Sequence, residues 1–153
     1  DKTLYDRLKY RDGEGIRLHL EATEDYQNHS LRFIENHDEE RATFTFGEYA
    51  NSDFALLCFL PGSILYHQGQ REGRKIKIPV QLARSPKEEK DFLSENFYDR
   101  AFNIIQKRQN QNLDLEIFEL KSYGEEYSVK NCIVRVKDDK LIFDKCTNKL
   151  MKD

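Results

Sequence analysis

Apolar and polar positions along the chain alternate in two rhythms. In the first hundred or so residues, short apolar runs are separated by polar breaks bearing glycine or proline. Leu4 and Leu8 stand one helical turn apart and predict a helix over residues 2–9. The run Arg11-Asp12-Gly13-Glu14-Gly15 breaks it. Residues 15–26 suit either a helix or an irregular connection. Residues 31–34, Leu-Arg-Phe-Ile, read as a short buried strand flanked by polar residues. Residues 39–46 fit a short helix with Asp38 near its N-terminus. Ser52 or Asp53 can cap the next helix, residues 54–60, which is apolar nearly all round. Pro61-Gly62 stops it. Residues 63–70, Ser-Ile-Leu-Tyr-His-Gln-Gly-Gln, form a second strand running into a polar tip. Strand, helix, strand in that order is the pattern of a parallel sheet or barrel.

A long connection follows, with one extended piece over residues 76–82. Ser85-Pro86 then opens an amphipathic helix, with Glu88 placed as in a capping box. This helix carries Phe92, Leu93, Phe97, Phe102, Ile104 and Ile105 and runs to about Gln106. Beyond it the rhythm changes. Residues 113–120, 131–137 and 140–145 alternate with a period of two, as antiparallel strands do, with a turn at Asp138-Asp139. The expected organisation is one unit over residues 1–110 and a second, antiparallel β unit over 111–153, with no internal repeat.

Composition narrows the function classes. The 153 residues are 38% hydrophobic and 35% charged, with a net charge of −3. Nucleic-acid and anionic-membrane binding need clustered positive charge, which this balance does not offer. No apolar run approaches the roughly 18 residues of a spanning helix. Cys58, Cys132 and Cys146 give an odd count without close pairing, so free thiols and a reducing compartment are expected, the cytoplasm being favoured. The four histidines show no metal-ligand spacing with these cysteines, so neither a metal nor another cofactor is expected. Cys58 lies in the most apolar helix and reads as core. Arg71, Arg74, Lys75 and Lys77 read as a solvated loop and a lysine-protected edge. "Gly-Gln-Arg-Glu-Gly-Arg-Lys" lacks the spacing and the Ser/Thr of a phosphate loop.

The chemistry sits at the strand ends. One strand finishes in Asn36-His37-Asp38 and the other in His67-Gln68-Gly69-Gln70. In a parallel architecture both ends reach the same face, where active sites of such folds lie. The segment "RFIENHDEERA" resembles the fourth signature region of glycoside hydrolase family 13, the α-amylase family: an aromatic residue, two variable positions, then Asn-His-Asp. "DKTLYDRL", "FALLCFLPGSILYHQGQ" and "REGRKIKIPVQLARSPKE" are similar to the flanking pieces of that family. The resemblance covers residues 1–105 and fades over 110–153.

The resemblance implies an α/β fold: the last strand–helix units of a TIM (β/α)8 barrel, followed by a small antiparallel β segment. It implies an α-glucan or oligosaccharide substrate. Asp38 matches the carboxylate that stabilises the transition state. His37 matches the histidine that hydrogen-bonds the same sugar, Asn36 completes the signature and shapes the turn, and Phe33 is a packing residue. Gln70 joins the expected substrate-binding set, whereas His67 reads as a satisfied strand-end histidine. Two positions depart from the family pattern: Glu40, where a proline or small residue is usual, and Gln68, where an aromatic or acidic residue is common. The family's nucleophile and general acid have no counterpart in the chain, and a retaining glycosidase needs both, roughly 5–5.5 Å apart. The expectation is therefore part of a glycosidase that is inactive alone, and that self-associates or docks on the missing barrel part. The rival reading is a non-catalytic carbohydrate-binding or assembly module of the same fold.

Overall fold

A computed structural model of the chain describes residues 1–81 and 84–108, and beyond them the backbone of four short strands. Helix α1 (Lys2–Lys9) starts where the Asp1 carboxylate accepts from Leu4 N at 3.0 Å, and it buries Leu4, Tyr5 and Leu8. The break after it is shorter than the sequence suggests. Asp12 caps a second helix, α2 (Gly13–Leu20), by accepting from Gly15 N at 2.9 Å, so three of the supposed breaker residues, Gly13, Glu14 and Gly15, are helical. Thr23 caps α3 (Glu24–Asn28), a separate turn of helix.

Strand β1 (Leu31–Arg32) pairs in parallel with β2 (Ser63–Ile64), Leu31 opposite Ser63 and Arg32 opposite Ile64. Both strands are shorter than their patterns predict. Beyond each strand the chain leaves regular structure and runs into its polar tip. Between them lie α4 (Ala42–Thr45), a 3₁₀ turn at Gly47–Tyr49 and α5 (Ala50–Phe59). Two start signals behave differently from their sequence reading. Asp38 does not open α4, because residues 36–40 form a turn of their own and Arg41 takes the flanking position. Ser52 and Asp53 do not open α5. They lie inside it, buried, and Asp53 meets the Arg11 guanidinium at 2.7 Å.

Helix α5 is the centre of the core: nine of its residues are buried. Helix α6 (Phe92–Arg108) packs on it through an aromatic cluster in which Phe54 lies 4.5 Å from Tyr98 and 6.2 Å from Phe102. The first turn of α6 forms at Asp91, whose carboxylate accepts from Leu93 N at 2.9 Å. Glu88 does not cap the helix. Its carboxylate turns back to accept from Lys75 N at 2.9 Å and Ile76 N at 3.2 Å, which holds the long connection against the helix entry. Residues 76–81 carry no regular structure, and the end of that expected extended piece, with the Asp138-Asp139 turn, lies outside the described residues.

Past α6, β3 (Leu115–Glu119) pairs antiparallel with β4 (Cys132–Val136), and β5 (Leu141–Asp144) with β6 (Lys149–Lys152). No helix among the described residues is long and apolar enough to cross a membrane.

One charged residue inside the predicted strand is buried with it. Arg32 is 1% exposed. Its guanidinium donates to Gln27 O at 3.2 Å, to the Gln27 amide oxygen and to Pro61 O, tying the end of α3 to the turn before β2. Burial pulls its pKa down to about 10, which leaves it charged at neutral pH. That turn depends on Gly62. Its φ is +89°, and a Cβ there would stand 2.4 Å from Ser30 O, the acceptor of Ser63 N. Gly62→Ala should therefore cost more than the roughly 1–2 kcal/mol of a left-handed non-glycine residue. A urea denaturation curve with a lowered midpoint and an unchanged slope is the expected result.

Candidate functional site

The parallel pairing sends the chain out of β1 and β2 on the same side. After Arg32 the residues Phe33, Ile34 and Glu35 stay buried, and Phe33 stacks 5.4 Å from the Tyr5 ring. Then the chain turns sharply. The Asn36 side-chain oxygen accepts from Asp38 N at 2.8 Å and Glu39 N at 2.9 Å, an Asx turn. Asn36 thus spends its amide oxygen on the backbone, and the turn pushes the next two side chains outward. His37 Nε2 and Asp38 Oδ2 stand 3.3 Å apart, and the two side chains are 68% and 72% exposed. A carboxyl and an imidazole side by side in solvent are free to bind the hydroxyls of a ligand.

Lysines border this pair. Lys77 Nζ donates to Asp38 O at 2.6 Å and lies 3.7 Å from the Glu40 carboxylate. Lys2 Nζ lies 2.9 Å from Glu39 Oε1. Lys77, which the sequence alone places on a solvated edge, touches the backbone of the candidate catalytic residue.

The second tip is built differently. Gln70 is buried: its Nε2 donates to the Tyr98 hydroxyl at 2.9 Å, and its Oε1 accepts from His67 N at 3.2 Å. The structure thus brings Asn36, His37 and Asp38 together in one turn and keeps the Gln70 amide inside, where it supports the tip from below. Burial raises the Tyr98 hydroxyl pKa far above its usual value, so it serves Gln70 as a neutral group. His67 is one-third exposed or less and faces the buried carboxylate of Glu35, with Nδ1 to Oε1 3.1 Å.

Glu35 and Arg41 are the residues that sequence reasoning missed. Glu35 is 1% exposed and Arg41 3%. Arg41 Nη1 donates to Glu35 Oε1 at 2.7 Å, while Glu35 Oε2 accepts from Ala42 N at 2.7 Å. Arg41 also donates from Nη1 to Gln68 O at 2.8 Å and from Nε to Ile76 O at 3.1 Å. The run Glu39-Glu40-Arg41 looks like a solvated charge cluster, but only Glu40 is exposed: Glu39 is half-buried against Lys2, and Arg41 is buried. The available signal was Glu35 itself. A charge at the end of a strand buried on both faces needs a partner of opposite sign, and Arg41 is the cation that follows the turn.

Beside Arg41, a cleft of about 100 Å³ is lined by Gln68, Gly69, Glu72, Arg74, Ile78 and Ser85. Small-molecule sites measure roughly 300–1,000 Å³, so this cleft falls below that range. No cluster that could hold a metal ion occurs among the described residues.

No protein-family model matches the chain, and no curated protein does. Among solved structures, the fold is similar to the crystal structure of alpha-amylase from H.orenii, with a TM-score of 0.60 over 92% of this chain. The identity is 15%, so the likeness is one of fold, and the chain spans 36% of that alpha-amylase.

The Glu35–Arg41 pair yields a stability prediction. Glu35→Gln leaves the Arg41 charge buried without its counterion and should cost about 3–5 kcal/mol. The pair-neutral Glu35→Gln/Arg41→Met variant should recover most of that loss, since it buries no unpaired charge. Urea midpoints of the three proteins check this. A single variant as stable as the parent would show that the carboxylate is not needed in charged form.

Proposed function

We propose that the chain is part of an α-amylase-type glycoside hydrolase acting on α-glucosidic bonds of glucans. The observation that carries this reading is the shared exit of two parallel strands, with an exposed His37–Asp38 pair at one of them, in a fold similar to an alpha-amylase. In the proposed role, the Asp38 carboxylate accepts hydrogen bonds from hydroxyls of the sugar whose bond is cut. Those bonds strengthen as the ring takes on positive charge, which favours the transition state over the ground state. His37 donates to the same sugar, and Asn36 holds the turn that presents both.

The nucleophile and the proton donor belong to strands outside this sequence. A two-stranded parallel sheet leaves edges that a closed barrel does not have. The proposed partner is therefore a polypeptide segment that supplies the remaining parallel strands, and a second copy of this chain is its substitute in isolation.

Titrating the isotope-labelled chain with maltoheptaose tests the reading. Amide signals of residues 36–39 should shift, and Asp38→Asn should weaken binding about 10- to 100-fold, the worth of one hydrogen bond to a charged group. No reducing ends should appear. Unmoved amides at 36–39, or an unchanged affinity in Asp38→Asn, would sink the reading. Shifts gathered elsewhere on the surface would support the rival, a non-catalytic carbohydrate-binding module. For the docking part, sedimentation should reveal concentration-dependent association. A stable monomer that binds little apolar dye would count against it.

A further inference from the structure

The backbone carrying Asp38 is held from several directions, and most of the ties converge on one side chain. Arg41 follows Asp38 by three residues and donates to acceptors on three separate segments: Glu35 on the stretch after β1, Gln68 O at the β2 tip, and Ile76 O on the return connection. His67 Nδ1 lies 3.1 Å from the Glu35 carboxylate and 3.2 Å from Arg41 Nη1, so in either tautomer it bonds one of them. Lys77, on the same return connection, holds Asp38 O. Gly69 lets the β2 tip pass close to the fork. Its φ is +89°, and a Cβ there would stand 3.3 Å from both terminal nitrogens of Arg41 and 2.7 Å from Arg74 Cγ.

We infer that Arg41, seated on Glu35, is the positioning residue of the candidate site: it locks the turn bearing His37 and Asp38 in register with the tip of β2. The inference rests on the functional reading given above and adds to it how the pair is kept rigid. The guanidinium suits this task because its planar fork spans acceptors that diverge from one another. A lysine ammonium is a compact point charge on a flexible stem and cannot reach all three at once. Arg41 touches no reacting atom. Its effect passes through the backbone of residues 36–40.

The experiment compares the labelled full chain with its Arg41→Lys variant by amide exchange and maltoheptaose titration. In the variant, exchange at Asp38 N and Glu39 N should quicken on the order of tenfold, as expected when a local opening becomes easier. Signals of residues 36–40 and 67–70 should shift together, while Leu56 and Leu57 in α5 keep their exchange rates. Affinity for maltoheptaose should fall although Asp38 is intact. A general loss of stability would instead quicken exchange throughout α5. If Arg41→Lys does not fold, Glu35→Gln/Arg41→Met replaces it, with the same expectations. A folded variant with unchanged exchange at Asp38 and Glu39, or with shifts confined to α4, overturns the inference. Absence of any saccharide response in the parent chain defeats the functional reading alone, because the exchange comparison still decides the role of Arg41.

Discussion

Two backbone hydrogen bonds set the geometry on which the candidate site depends. Ser63 N donates to Ser30 O at 2.9 Å, and Leu65 N donates to Arg32 O at 2.7 Å. They fix β1 and β2 as parallel neighbours, so both strands release their polar tips at the same end. An antiparallel pairing would send one tip to each end and separate them by the length of the sheet. The pair is short, and its register is reinforced from below by Arg32, which bonds Gln27 and Pro61, and from above by Arg41, which bonds Glu35 and Gln68.

Buried charge therefore does much of the work of joining distant segments. Arg11 reaches Asp53 across forty-two residues, Arg41 reaches Gln68 across twenty-seven, and Arg32 reaches Pro61 across twenty-nine. Such contacts add little net stability, because each ion loses its hydration. Removing one partner is costly, however, and that asymmetry discriminates between the native arrangement and its near alternatives. The apolar core around α5 and α6 supplies the driving force, and the guanidinium bonds specify which loop meets which.

The site itself is open on one side. Its supporting residues, Glu35, Arg41, Gln70 and Tyr98, are buried and hydrogen-bonded, whereas His37 and Asp38 project into solvent. Rigid support under exposed functional groups is what a binding turn requires.

The sequence by itself determined the elements with strong local signals. Leu4 and Leu8 specified α1, the unbroken apolar run specified the buried α5, and Pro61-Gly62 its end, because these depend on neighbours within a few residues. It also specified the Asx turn at Asn36, whose partners are two and three positions away. Only the tertiary structure decided where α4, α5 and α6 begin, since Asp38, Ser52, Asp53 and Glu88 look like local caps. Asp53 and Glu88 found partners far along the chain, Ser52 was carried into the helix, and Asp38 was held outside α4 by the turn at Asn36. The same holds for Gln70, drawn inward by a hydroxyl twenty-eight residues later, and for Arg41, whose acceptors lie on segments that meet only when the sheet forms. A contact between residues remote in sequence leaves no periodic trace, and so, apart from the short-range pairing of Glu35 with Arg41, the support of the site emerged only in the folded chain.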